Sequence, residues 1–524
     1  MNKTLTSFLV LFLALSGLHC AAQKRTGSPA TAGKQPNILV IFTDDHALRA
    51  ISAYGSDLTK TPNIDRLAKD GMLFRHAMVT NSICGPSRAV LLTGKYSHLN
   101  GLATNQPGEV FDGSQTTFPK LLQQAGYQTA IVGKWHLHSD PTGFDFWKIL
   151  PGQGDYYNPD FLTANGRKRE QGYVTDVITN ETLNWLDKKR DKSKPFLMMF
   201  QHKAPHREWL PAPEHLTLYK DKKFPEPATL FDDYANRASG ARNQEMEIGK
   251  HMRLMSDNKL FEPKHAAKAP GNPNSPYGRM LPEQWQPFYM AYQEENAKFL
   301  ASKPTGKDLV RWKYQRYLQD YLRTVASVDE SVGKVLDYLK QEGLEENTIV
   351  VYSSDQGFYL GEHGWFDKRW MYEESLHTPL IVRWPGVTKP GSENKEMVLN
   401  LDLAETFLEA AGVPVPHEMQ GRSLVPLLKG QTPKDWRQEV YYHYSEYPKP
   451  HRVPQHFGIR TDQHKLIYYY VLNEWEFFDL KKDPQELKSE YNNPAYAAKI
   501  KQLKEQLHSL QTKYQDPVAR NINF

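Results

Sequence analysis

Apolar residues in this chain fall in short unbroken runs that end in polar clusters. Residues 37–43 run into Asp44-Asp45-His46, and residues 129–132 into Gly133-Lys134-Trp135-His136. Residues 196–200 run into Gln201-His202 and then Ala204-Pro205-His206, and residues 348–352 into Ser353-Ser354-Asp355-Gln356-Gly357. Such runs, rich in Val and Ile, predict parallel strands covered on both faces. Helical patterns separate them, over residues 63–70, 118–125, 174–188 and 321–341. The alternation predicts an α/β fold with one large, mostly parallel sheet and helices on both faces. In open sheets of this kind ligands bind beyond the carboxyl ends of the strands. Asp44, Asp45, Lys134, His136, His206, Asp355 and Gln356 would therefore meet at one edge, although they are far apart in sequence.

Two stretches break the pattern. Residues 224–307, rich in Pro, Asn, Lys, Glu and Met, lack strand-like runs and are expected to form a partly helical surface insertion. Near the end, residues 439–444, 457–461, 465–471 and 474–479 alternate like short antiparallel strands, with turns at Asp462-Gln463 and near Asn473. An amphipathic helix over 494–514 follows. The expected organisation is a large domain over 36–430 and a smaller α+β subdomain, with an antiparallel sheet, over 431–524. Internal repeats and sustained heptads are absent from the sequence.

The first residues predict export. Lys3 precedes an apolar run over residues 8–18, too short to span a bilayer, and Cys20-Ala21-Ala22 supplies small residues for cleavage after Ala22. Residues 1–22 read as a signal peptide and 23–35 as a polar tether. A lipid on Cys20 is the alternative, which His19 fits poorly. With no later transmembrane segment, the expected location is outside the cytoplasm, in a bacterial periplasm. The composition, 39% hydrophobic and 24% charged, is that of a globular protein. The net charge of +5 owes four positive charges to Lys3, Lys24, Arg25 and Lys34, and no basic helix or Arg-rich run suggests nucleic acid.

Of the two cysteines, Cys84 alone would remain after processing. An exported protein usually spends cysteines in pairs, so a single one reads either as a core residue or as a reactive one. Its neighbours favour reactivity. Cys84-Gly85-Pro86-Ser87-Arg88 is followed by an apolar stretch ending at Gly94, with Pro in a first helical turn and Gly at the end. Cys84 is thus expected at a helix N-terminus, where free N–H groups and the dipole attract anions.

This pentapeptide resembles the Cys-x-Pro-Ser-Arg signature of the formylglycine-dependent sulfatases, and residues 89–96 and Gly133-Lys134-Trp135-His136 resemble the same family. The resemblance extends over the chain from Pro36 onward. It implies an alkaline-phosphatase-like fold and oxidation of Cys84 to formylglycine by a maturation enzyme. It also implies calcium held by Asp44, Asp45, Asp355 and Gln356, with residue 84 beside the metal. Oxygen ligands suit calcium, and Gln356 departs from the Asn that is commoner in the family. Arg88 would stabilise the hydrated aldehyde, and Lys134 and Lys368 would bind sulfate oxygens. One hydroxyl of the hydrate would attack sulfur while His206 protonates the leaving sugar oxygen. His136 would then deprotonate the second hydroxyl to release sulfate. His138 and His202 are expected to be structural.

Residues 70–161, including Gly143-Phe144-Asp145-Phe146-Trp147 and Pro151-Gly152-Gln153-Gly154-Asp155, resemble the N-acetylglucosamine-6-sulfatase subgroup. The implied substrate is the 6-O-sulfate of N-acetylglucosamine or glucosamine in a heparan-type glycosaminoglycan. Asp367, Arg369, His451, Arg452 and His456 are candidate sugar contacts. Four other readings compete. They are a sulfatase of another glycan sulfate, a phosphodiesterase or phosphonate hydrolase of the same fold, a sulfated-glycan binder with unmodified Cys84, and a papain-like Cys/His hydrolase that would leave the Asp pairs without a role.

Overall fold

A computed structural model describes residues 35–271 and 275–518. The expected signal peptide, Cys20 and all but the last residue of the tether lie outside the described residues. Among the described residues no helix is long and apolar enough to cross a membrane.

Ten strands form the large sheet: β1 (Asn37–Thr43), β2 (Met72–Met78), β3 (Gln128–Lys134), β4 (Phe146–Leu150), β5 (Asp160–Thr163), β6 (Gly166–Arg169), β7 (Phe196–Gln201), β8 (Thr348–Ser354), β9 (Leu380–Arg383) and β10 (Ser392–Leu399). Their order is β10-β2-β9-β8-β1-β7-β3-β4-β5-β6. The centre, from β8 through β1, β7 and β3 to β4, is parallel, with Val40 of β1 in register with Val351 on one side and Met199 on the other. β9 runs antiparallel to β2 and β8, and β5 and β6 are antiparallel at the far edge.

Every residue of β1, β7 and β8 is buried, which explains their unbroken apolar runs. Alternate side chains serve two cores. Leu39 and Ile41 join Ile178, Val328 and Val332 on one face, while Ile38 and Val40 join Phe118 and Phe407 on the other. Each such side chain contributes roughly 1.5–3 kcal/mol on burial. The helix expected over 321–341 starts earlier and spans Gly306–Gln341, laying Val328, Val332, Val335 and Leu339 against the sheet. The insertion holds the helix Pro282–Ser302 and two short helices, Ser239–Asn243 and Ile248–His251. It is less peripheral than expected, because Asp257, Asn258 and Lys259 are fully buried.

The second sheet is antiparallel, in the order β11 (Glu439–Tyr444), β12 (His456–Thr461), β13 (His464–Tyr469) and β14 (Glu474–Asp479). The helix Ala497–Lys513 covers it with Ile500, Leu503, Leu507 and Leu510. Its core continues through Trp365, Trp370 and Tyr372, so both sheets belong to one compact unit beginning at Gln35.

Candidate active site

Four central strands deliver their polar ends to one place. Asp44 and Asp45 follow β1, and Asp355 and Gln356 follow β8. Lys134 ends β3, with His136 two residues on, and β7 leads through Gln201 to His206. Gly133 makes the end of β3 work. Its φ is +108°, and a Cβ there would lie 1.8 Å from the carbonyl oxygen of Gln201. Only glycine lets β3 run this close to β7.

Cys84 opens the helix Cys84–Thr93, which ends at Gly94 in the left-handed conformation, as the sequence predicts. It is 1% exposed. Its Sγ, a carboxylate oxygen of Asp44 and a ring nitrogen of His206 lie within 4.8 Å of one another. Burial, reinforced by Asp44, pushes the thiol far above its ordinary pKa. Burial thus disfavours the thiolate that a papain-like mechanism needs.

Oxygens of Asp44, Asp45 and Asp355 also lie within 4.8 Å of one another, fully buried. Cations answer them. Lys134 Nζ donates to Asp44 Oδ2 and to Gln153 Oε1. Lys368 Nζ donates to both oxygens of Asp45, at 2.7 and 2.8 Å. Arg88 donates to Asp355 Oδ2 through Nε at 3.1 Å and Nη2 at 2.9 Å, and through Nη1 to Gln201 Oε1 at 2.8 Å. Ser87 Oγ donates to the Asp355 carbonyl, and Tyr321 OH donates to the Asp45 carbonyl at 2.7 Å.

The carboxylates titrate apart. Burial pushes Asp45 up to about 7 despite Lys368, helped by Asp44 and Asp355, and Asp355 up to about 6, helped by Asp44. Burial opposes the charge of Asp44 too, yet Lys134, His206, Arg88 and Lys368 hold it well below the carboxylate range. The three cations match the three carboxylates in charge, yet they leave oxygens in the cluster uncapped. Asp44 Oδ1 and Gln356 Oε1 are buried without a hydrogen-bond partner, while Gln356 Nε2 donates to Asp45 Oδ1. Three carboxylates and an unpartnered amide oxygen fit a hard divalent cation such as calcium.

His206 Nδ1 meets the Arg207 carbonyl at 2.6 Å, and Nε2 lies 3.8 Å from Asp45 Oδ2. His136 has a buried Nδ1 without a partner, and burial, followed by Lys134, lowers its pKa. His138 packs on His136 at 5.4 Å, and His202 is buried against Ser331.

Asp367, Arg369 and His451 assemble beside Lys368. Asp367 Oδ1 accepts from Arg369 Nε at 3.0 Å, and Oδ2 lies 3.3 Å from His451 Nε2. Glu446 was not read from the sequence, yet its Oε1 takes Arg369 Nη1 at 3.1 Å and its Oε2 takes Asn105 N at 2.7 Å. Asn105 Oδ1 in turn accepts from Gly85 N at 3.2 Å, beside Cys84. Arg452 is exposed, with its backbone N–H donating to Pro448 at 2.9 Å. His456 departs from its expected role as a sugar contact. It is fully buried, its Nδ1 held by the Pro454 carbonyl at 2.7 Å, and it packs among Trp370, Tyr442, Tyr444 and Tyr469. It opens β12, where its ring faces the aromatic core.

A buried cysteine at a helix start, beside acidic, cationic and histidine side chains at parallel strand ends, defines a hydrolase of anionic esters. The chain belongs to the sulfatase family, whose profile matches residues 36–413, and a profile described as N-sulphoglucosamine sulphohydrolase, C-terminal, matches residues 361–513. It is 48% identical over 523 residues to an N-acetylglucosamine-6-O-sulfatase of Bacteroides thetaiotaomicron, covering 98% of this chain and 92% of the relative. The human N-acetylglucosamine-6-sulfatase is 30% identical over 444 residues, covering 79% and 68% of the two chains. A solved structure described as a complex with its substrate D-glucosamine-2-N,6-O-disulfate superposes with TM-score 0.90 at 48% identity, covering 94% of this chain and 100% of that one. The phosphonate monoester hydrolase of Agrobacterium radiobacter, at 20% identity and TM-score 0.65 over 91% and 96% of the two chains, shares the fold.

Proposed function

We propose that this sulfatase removes the 6-O-sulfate from N-acetylglucosamine or glucosamine units of a heparan-type glycosaminoglycan. Its reaction is RO–SO3⁻ + H2O → ROH + HSO4⁻. One observation carries the reading: Cys84, Asp44 and His206 meet within 4.8 Å at the start of a buried helix. The 48% identity to an N-acetylglucosamine-6-O-sulfatase supports the substrate. So does the likeness to the structure holding a 6-O-sulfated glucosamine.

Residue 84, oxidised by a maturation enzyme to formylglycine and hydrated, supplies the attacking hydroxyl. Asp44, Asp45, Asp355 and the Gln356 amide oxygen would hold calcium, with residue 84 beside it. When bound, calcium supplies charge neutralisation and polarises the ester. Lys134 and Lys368, buried at the mouth of the acidic cluster, face the sulfate oxygens and offset charge that builds as the S–O bond breaks. Arg88 fixes Asp355 and keeps the floor of the site cationic. His206, when its ring carries a hydrogen on both nitrogens, hands the one on Nε2 to the departing sugar oxygen, and His136 takes a proton through its unpartnered Nδ1. Asp367 and Arg369, with His451 at the rim, bind sugar hydroxyls. The first 22 residues support export to the periplasm.

Mass spectrometry of the peptide containing residue 84, from protein made in its native host, tests the modification, and only free cysteine there would refute it. Turnover of 6-O-sulfated glucosamine against a phosphodiester of matched charge tests the substrate. Preference for the diester would refute that assignment. Cys84→Ala should abolish turnover while keeping the folded spectrum, so near-normal rates would sink the nucleophile.

A further inference from the structure

The chemistry above leaves the insertion over residues 224–307 without a task, yet buried residues in it grip the segment that carries His206. Arg207 Nε donates to Asp257 Oδ1 at 2.8 Å, and its Nη2 donates to Oδ2 at 2.6 Å, a two-point fork. Lys259 Nζ donates to the carbonyl of Glu208 at 2.7 Å. Both partners are themselves fixed. Asp257 Oδ2 accepts from Arg253 N at 2.7 Å, and Lys259 pairs at 3.1 Å with Asp320 on the long helix Gly306–Gln341. The Arg207 guanidinium also lies over the ring of Phe366, 4.9 Å from its centre and two residues from Lys368.

The grip reaches the imidazole. A carbonyl oxygen only accepts, so the 2.6 Å contact between His206 Nδ1 and the Arg207 carbonyl places the hydrogen on Nδ1. Nε2, which faces Asp45 Oδ2, is then the atom that exchanges a proton. Tyr156 steadies the other side, its hydroxyl donating to the His206 carbonyl at 2.6 Å.

We propose that Asp257 is a positioning residue which, through Arg207, sets the ring orientation and tautomer of His206, so that the insertion serves the departure of the sugar. This rests on the role given to His206 under Proposed function. A carboxylate is needed because only it accepts both arms of the fork. Asp257→Asn keeps the shape but replaces one acceptor with a donor facing Arg207.

Steady-state kinetics on 6-O-sulfated glucosamine test the clamp. Asp257→Asn should lower kcat roughly 10–100-fold, as small misplacements of a catalytic group do, while KM stays within about threefold. Arg207→Lys keeps the charge but loses the fork, and should lower kcat similarly. The double variant should lose no more than the worse single, because one path is cut twice. Unchanged kcat, a KM that rises as far as kcat falls, or losses that multiply in the double variant would each overturn the proposal. If Asp257→Asn fails to fold, Arg207→Lys alone decides by the same kcat and KM criteria. A wild-type enzyme that cleaves a different sulfate ester overturns only the substrate assignment, and the clamp is then read on that ester.

Discussion

Lys368 is buried and donates to both oxygens of Asp45, sharing Oδ1 with the Gln356 amide. In the proposed reaction its ammonium meets the charge of the sulfate group. Lys368→Gln should therefore reduce kcat by about two to three orders of magnitude, the usual loss when a charge-stabilising donor is removed. Steady-state assays with purified variant check this, and a loss under tenfold would contradict it. At this scale much of the site was legible. Asp44, Asp45, Arg88, Lys134 and Asp355 lie at the ends of apolar runs or in the Cys84 motif, and the structure brings them together. His456 was not legible, because a histidine in a polar-looking loop gives no sign that its ring turns into an aromatic cluster. Glu446 and Asn105 escaped for the opposite reason. Each is one polar residue among many in a loop, and their hydrogen bonds to Arg369 and Gly85 cross sequence gaps that no local pattern records.

The elements that carry the site are the four buried strands, and each was marked by an unbroken apolar run. β6, which is exposed at all four positions, and β10, which alternates exposed and half-buried over its first half, lack that signature and went unread. The long helix was recognised only in its later half. Its first turns bear charged residues, and the packing that follows, through Tyr317 against Trp209 and Tyr321 against Phe358, is tertiary. The tight approach of β3 to β7 yields a sharper prediction. Gly133→Ala must move either Gln201, which fixes Arg88, or the end of β3, which carries Lys134. The variant should melt several degrees below wild type and lose at least about tenfold in kcat, because a substitution at positive φ with a backbone clash strains both strands. Differential scanning calorimetry and steady-state assays check the two effects. Unchanged values of both would show that β3 can shift freely.

For the molecule as a whole, the acidic cluster links metal to stability. A cation bound only by the folded state raises the melting temperature with concentration. Dialysis against a calcium chelator should lower both melting temperature and activity, and added calcium should restore them. A chelated protein with unaltered melting and rate would count against the assignment of Asp44, Asp45, Asp355 and Gln356 as ligands. A second linkage lies far from the metal. Glu405, 3% exposed on the helix Asp402–Ala410, leaves one oxygen without a partner, and burial, with Asp402 nearby, pushes it up from 4.5 to about 8. Below pH 4.5 it is protonated folded or unfolded and contributes no pH dependence. Between 4.5 and 8 the unfolded chain loses the proton while the folded chain keeps it, so stability falls as pH rises, and above 8 the effect is constant. Glu405→Gln retains the acceptor for Gly421 N–H and removes this slope. The melting temperature of the variant relative to wild type should climb from pH 5 to pH 8, and a flat difference would exclude Glu405 as the cause.

The strand order also fixes a sequence of events in time. β1, made almost first, has its two neighbours at residues 196–201 and 348–354. The centre of the sheet cannot close until two-thirds of the chain has left the ribosome, and pairings so distant in sequence form slowly. Residue 84 precedes both of these partners in the chain, and its helix is tied to the end of β8 by Ser87, whose hydroxyl donates to the Asp355 carbonyl. The thiol is 1% exposed in the folded chain, so a reagent or protein that needs to reach it is excluded once folding is complete. Under the proposed modification, an oxidising partner would have to reach the thiol before the last central strand docks. If that proposal holds, a mutation that hastens closure would leave more chains with residue 84 unmodified.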